Sequence, residues 1–115
     1  MQEKIVKPII IRDENGNQKY VLEFSRNSVR FAESQGFDIT AMDAKPFSNT
    51  FDLFFYSFRK NHPTVTREQA QQVLEEIGKL TPELIERLGA LYTAPLESLI
   101  GDEESRKNAR MTVEF

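Results

Sequence analysis

The chain has 115 residues and a formal net charge of −3, with 39% hydrophobic and 29% charged residues. This length suits one folded domain with its own core, and no apolar run approaches the roughly 20 residues that a membrane-spanning helix needs. The absence of cysteine excludes disulfides, thiolate metal ligands and a cysteine nucleophile. Because the balance is acidic, little basic surface is left for phosphates, and we expect neither nucleic acid nor a membrane as a partner.

Two β-branched and aromatic runs near the N-terminus predict a β-hairpin over residues 5–24. Asn15-Gly16 between them is a strong signal for a tight type I′ turn, which needs positive φ at both residues. That turn would place Ile9 opposite Leu22 and leave one face of the hairpin mostly apolar. Since Pro8 has no N–H to donate, the first strand should lie at a sheet edge or contain a bulge.

The tight turn also has an unfavourable consequence. It places Ile11 opposite Tyr20 and therefore sets Arg12 against Lys19, and like charges directly across a ladder are destabilising. A longer loop, in which Asp13 meets Lys19, is therefore an open alternative. Either turn keeps the hairpin.

Helix signals begin directly after the hairpin. Ser25 is placed to cap a helix over residues 26–35, and Gly36 marks its end. Phe37 should then fold back on the last helical turn, towards Ala32. Residues up to Pro46 are expected to form an irregular connection.

The aromatic residues are unevenly spread, because six of the twelve lie between Phe47 and Phe58. The phenylalanines in this stretch recur at the spacing of one helical stripe, which predicts a helix over about residues 47–60. We expect that stripe to be core, with Leu53 and Tyr56 at its exposed edge as candidate contacts for a partner. The stripe consists of Phe47, Phe51, Phe54, Phe55 and Phe58.

Two more helices are predicted in the second half of the chain. Thr66 and Gln69 have the spacing of a capping box, which opens a helix over residues 67–79. Pro82 suits the first turn of another helix, over residues 82–100. Pro95 leaves open whether that helix is kinked there or gives way to a separate short turn.

We expect residues 1–101 to form one globular domain and residues 102–115 a polar tether with an apolar end. The last five residues alternate apolar and polar, as a half-buried strand does. The apolar face of this stretch either adds a third strand to the hairpin or docks on a neighbour or client. It consists of Met111, Val113 and Phe115. The resulting architecture is α+β, with an N-terminal hairpin followed by four to five helices.

No residue pattern indicates catalysis, a metal ion or a cofactor. One histidine, His62, cannot complete a triad or a histidine-based zinc site. The glycines are too dispersed for a phosphate-binding loop. Residues 66–92 have the helix-turn-helix outline of DNA-binding proteins, but three basic against five acidic residues there would repel phosphates. We therefore expect a non-enzymatic protein.

Three segments resemble the small tail assembly chaperones of long-tailed phages and prophages of Gram-positive bacteria. The first runs from Phe24 to Asp38 directly after the hairpin, and the second is the aromatic helix ending in Phe58-Arg59-Lys60-Asn61-His62-Pro63. The third is the terminal Asn108-Ala109-Arg110-Met111-Thr112-Val113-Glu114-Phe115. The resemblance covers most of the chain in the order of its elements.

The resemblance implies a protein without catalytic or metal residues that keeps the tape measure protein soluble until the tail tube polymerises around it. The further partners that the resemblance implies are the tail-tube protein and a longer, frameshifted form of the chain itself. We also expect weak homo-oligomers. It would act in the host bacterial cytoplasm and be absent from the mature virion. The alternatives are a structural head-tail connector or tail-completion subunit and, less favoured by charge, a helix-turn-helix regulator.

Overall fold

A computed structural model describes residues 6–99 together with residues 111, 114 and 115. Within them, an antiparallel hairpin precedes four α-helices, which confirms the α+β class with an N-terminal hairpin. The predicted tether over residues 102–110 lies outside the described residues. The elements are β1 (Ile9–Arg12), β2 (Gln18–Leu22), α1 (Arg26–Ser34), a 3₁₀ turn (Ile39–Ala41), α2 (Pro46–Tyr56), α3 (Arg67–Ile77) and α4 (Pro82–Leu99).

The hairpin loop is longer than a two-residue turn. The Gly16 N–H donates to the Asp13 carbonyl at 3.0 Å, and the Asp13 N–H donates to the Asn17 carbonyl at 2.9 Å. The Asp13 carboxylate also accepts the N–H groups of Asn15 and Asn17, each at 2.9 Å. Only Gly16 in the loop has positive φ, at 83°, so the type I′ prediction is wrong and a three-residue loop with a left-handed glycine replaces it.

The longer loop changes the pairing at one end of the ladder. Arg12 faces Gln18 because the register shifts between Ile11 and Arg12. The predicted pairing of Arg12 with Lys19 is therefore wrong, and the like charges are not directly opposed. The pairs predicted correctly are Ile9 with Leu22 and Ile11 with Tyr20.

Helix α1 has the caps that its sequence predicts. The Ser25 hydroxyl accepts the Ser28 N–H at 3.1 Å, and the Ser28 hydroxyl accepts the Ser25 N–H at 2.8 Å. At the other end, Gly36 has φ of 92°, and the Phe37 N–H donates to the Ala32 carbonyl at 3.1 Å. This is the Schellman arrangement, and the buried Phe37 ring that follows it packs against the rings of Tyr56 and Tyr92.

The outer edge of β2 is covered by residues 57–62, which we call the edge segment. The Glu23 N–H, just beyond the strand, donates to the Ser57 carbonyl at 3.1 Å. The Val21 N–H donates to Nε2 of His62 at 2.9 Å. These bonds satisfy backbone groups of β2 that its partner strand does not reach.

Side chains of the edge segment reinforce this contact. Lys60 forms an ion pair with the Glu23 carboxylate at 2.9 Å. The Asn61 amide donates both to that carboxylate and to the Val21 carbonyl, each at 3.2 Å. Burial pushes the pKa of Glu23 upward, but the hydrogen bonds from Lys60 and Asn61 outweigh it and hold the pKa below its ordinary value.

Because residues after Tyr56 bind β2, α2 is shorter than predicted. The sequence predicts a helix to residue 60, whereas the structure replaces residues 57–60 with turns. The bounds of the other helices agree with the predictions to within two residues. Helix α3 has the predicted capping box of Thr66 and Gln69, and α4 continues as one helix through Pro95.

The core lies where the hairpin, α1 and α4 meet α2, with α3 packed on α2. No helix among the described residues is long and apolar enough to cross a membrane. The largest side chains that are fully buried are Phe54, Phe58, Leu22, Leu53 and Leu88.

Two glycine substitutions should have opposite effects on stability. Gly36→Ala should lower the free energy of unfolding by about 1–2 kcal/mol, because alanine is strained at positive φ. The control Gly89→Ala, inside α4 with open space around the added methyl group, should raise it by up to about 1 kcal/mol. Urea denaturation of both variants measures this. Equal effects would contradict the Schellman cap.

Acid should weaken the contact between β2 and the edge segment. Because the pKa of Glu23 is lowered on folding from 4.5, its stabilising effect is complete above that value and is lost as the pH falls through the folded pKa. Glu23→Gln should therefore flatten the loss of stability below about pH 4.5 in denaturation curves. Glu14→Gln, on the exposed hairpin loop, is the control. An unchanged profile in Glu23→Gln would exclude this contribution.

Candidate binding pocket

A pocket of about 220 Å³ opens where the end of α1 meets the end of α2 and the chain leading into α3. Its rim carries Arg59, Arg67 and His62. We call it the aromatic–arginine pocket. The aromatic side chains that line it are Phe31, Phe55, Tyr56 and Phe58.

Arg59 brings a positive charge to the pocket, and no residue that the structure describes neutralises it. Its guanidinium carbon lies 3.9 Å from the centre of the Phe31 ring, a cation–π contact that orients the group. The Arg59 side chain forms no hydrogen bond or ion pair with another residue that the structure describes. An incoming carboxylate would therefore meet an oriented guanidinium.

Arg67 is held in place by an acidic partner. Its guanidinium donates to the Asp52 carboxylate at 2.7 Å and to the Tyr56 hydroxyl at 3.1 Å, and it lies 4.6 Å from the centre of the Phe55 ring. The hydrogen bond that Arg67 donates to Asp52 raises the pKa of Arg67 above its ordinary value. Arg67 thus supports the wall of the pocket, while Arg59 supplies the charge at its mouth.

The described lining of the pocket offers no pair of side chains for acid–base chemistry. Nε2 of His62 is already engaged by the Val21 N–H at 2.9 Å, and the lining contains no acidic residue to act with it. Within residues 6–99 and the described tail positions, no three metal-ligating side chains come together. Aromatic walls with an oriented arginine favour a segment that presents an apolar and an acidic side chain.

The structure corrects the prediction for Leu53 and Tyr56. We expected them at an exposed edge, but their exposed fractions are 1% and 3%. Helix α2 contacts α1, α3, α4 and the 3₁₀ turn, so neighbours cover more of its surface than a single apolar stripe requires. Leu53 is core, and Tyr56 is a buried part of the pocket wall.

The expectation that Phe47 belongs to the core is also wrong. Its side chain is 91% exposed, because it lies in the first turn of α2, beyond the core that the rest of the helix enters. Phe51 and Phe55 are half-buried and pack against the core, whereas Phe54 and Phe58 are buried as predicted. The phenylalanine stripe therefore runs from solvent into the core along α2.

The predicted contacts in the tail are only partly described. Met111 is 88% exposed and Phe115 is fully exposed, at 109% of its reference area. Val113 lies outside the described residues, so the predicted strand over residues 111–115 stays a prediction. Neither Met111 nor Phe115 is packed against the core.

Sequence reasoning missed the residues that make the pocket. Arg59 falls near the end of the helix predicted over residues 47–60, and Arg67 falls at the start of the helix predicted over residues 67–79, and neither position signals a pocket. Phe31 lies within the helix predicted over residues 26–35, with no pattern that marks it as a contact. The pocket joins residues 31–35 to residues 55–67, so no local spacing in the sequence predicts it.

Comparison with protein-family models matches residues 2–115 to the family described as Domain of unknown function (DUF5055). No curated protein and no solved structure matches the chain.

Two substitutions on α2 test the corrected placement of its apolar residues. Leu53→Ala should lower the free energy of unfolding by about 2–5 kcal/mol, because it leaves a cavity in the core. Phe47→Ala should change it by less than about 0.5 kcal/mol, because that side chain is exposed. Denaturant titration of both variants measures the difference. Similar losses would contradict the placement.

Proposed function

The chain belongs to the DUF5055 family, and we propose that it is a phage tail assembly chaperone that binds the tape measure protein. In this proposal the protein is not an enzyme. It keeps its client soluble in the host cytoplasm during tail morphogenesis and is absent from the mature virion. The tail-tube protein and a longer, frameshifted form of the chain are its further partners.

The observation that carries the proposal is the aromatic–arginine pocket. The tape measure protein of such phages is a long helical chain with apolar stripes, which aggregates unless other subunits cover it. An apolar side chain of such a stripe suits the aromatic walls of the pocket. An acidic side chain three or four residues away lies on the same helical face and would reach Arg59. The client identity comes from the resemblance, and the pocket supplies the mode of binding.

The charge of the chain supports this role. A net charge of −3 keeps the outside of a complex soluble while Arg59 gives one local site of opposite sign. A protein that covers another chain needs many weak, reversible contacts, and an open pocket with a guanidinium that no described residue binds suits such contacts.

Co-expression with a candidate tape measure protein from the same genome tests the proposal. Arg59→Glu should weaken client binding about tenfold or more, because a carboxylate then faces the acidic residue of the client. Arg30→Glu makes the same charge change on the exposed surface of α1 and should leave binding unchanged. The soluble fraction of the client and its co-purification are measured, with circular dichroism to confirm folding.

Two outcomes would contradict the proposal. One is a client that stays equally soluble with Arg59→Glu and with the Arg30→Glu control. The other is detection of the protein in purified virions. A head-tail connector or tail-completion subunit would be present there, whereas a chaperone would not.

A further inference from the structure

The chain carries an exposed aromatic side chain beside an acidic one, in its own tail. Phe115 is fully exposed at 109% of its reference area, and the neighbouring Glu114 is exposed too. A fully exposed phenylalanine gains from burial against other apolar surface. These two side chains have the chemistry that the aromatic–arginine pocket favours.

We propose that Glu114 and Phe115 of one copy bind the aromatic–arginine pocket of a second copy. The Phe115 ring enters between the aromatic walls, whose pocket of about 220 Å³ has room for one such side chain. Adjacent Cα atoms are about 3.8 Å apart, so the Glu114 carboxylate reaches the pocket mouth together with the ring. There it binds the Arg59 guanidinium, which no described residue neutralises.

Charge complementarity favours this occupant over an apolar segment alone. The rim presents Arg59 and Arg67, and among the described residues the single carboxylate bound to either is Asp52, on Arg67. An acidic group at the mouth therefore meets the unneutralised guanidinium of Arg59. An apolar side chain without a carboxylate would cover that guanidinium and leave its charge unpaired.

A second copy is the source of the tail because, in the structure, the chain's own Phe115 is unpacked. Each copy offers one pocket and one tail, so two copies exchange tails across a twofold axis and both pockets are filled. The contact uses the pocket assigned to the client in the proposed function. The contact does not require the client, however, and can be measured in its absence.

The test measures self-association of the full chain by sedimentation velocity over a range of concentrations. The wild-type protein should form a reversible dimer. Phe115→Ala and Arg59→Glu should each raise the dimer dissociation constant about tenfold or more. Arg30→Glu, with the same charge change away from the pocket, should leave the dimer intact. Circular dichroism confirms that each variant is folded.

A charge exchange makes the test specific to the proposed pair. By itself, Glu114→Arg should weaken the dimer. Combined with Arg59→Glu it should restore the dimer, since the two charges are then opposite again. A protein that is monomeric at every concentration would overturn the proposal, as would a dimer unaffected by Phe115→Ala or a failed charge exchange. If no dimer forms, and client binding is lost in Arg59→Glu but kept in Phe115→Ala, the dimer proposal fails while the proposed function stands.

Discussion

The contact between β2 and the edge segment is the interaction on which the rest of the structure depends. A two-stranded hairpin is marginally stable in water, and its outer backbone groups need partners. The Ser57 carbonyl, the Asn61 amide and the His62 ring supply those partners along one edge of β2. The edge segment thus takes the place of a third strand and ties the hairpin to the end of α2.

That contact also determines where the pocket lies. Since residues after Tyr56 leave the helix to reach β2, Phe58 turns into the core and Arg59 reaches the Phe31 ring on α1. A helix continuing to residue 60 would carry Arg59 along its own axis instead. The same turn leads the chain to Arg67, whose bond with Asp52 joins the start of α3 to α2. The contact between β2 and the edge segment therefore both stabilises the hairpin and positions the residues of the pocket.

The two arginines of the pocket differ in how the fold engages them. Arg67 donates to a carboxylate and a hydroxyl of the fold, and the carboxylate largely neutralises its charge. Arg59 is stacked on an aromatic ring, and none of its donors is bound by a described residue. In the proposed function that partner is a tape measure protein, and in the further inference it is the tail of a second copy. Both occupants compete for one site, so self-association would be reversed as the client binds.

The sequence by itself determined the hairpin, the helix caps and most helix bounds, because these depend on neighbouring residues: Gly36 needs positive φ, and Thr66 reaches an N–H three positions on. Only the tertiary structure decided what each face of α2 meets. Helical periodicity groups apolar residues into a face, but it does not say how many elements surround the helix or where the core ends. Leu53 is therefore buried, Phe47 is exposed, and Arg59 lies on a ring contributed by another helix.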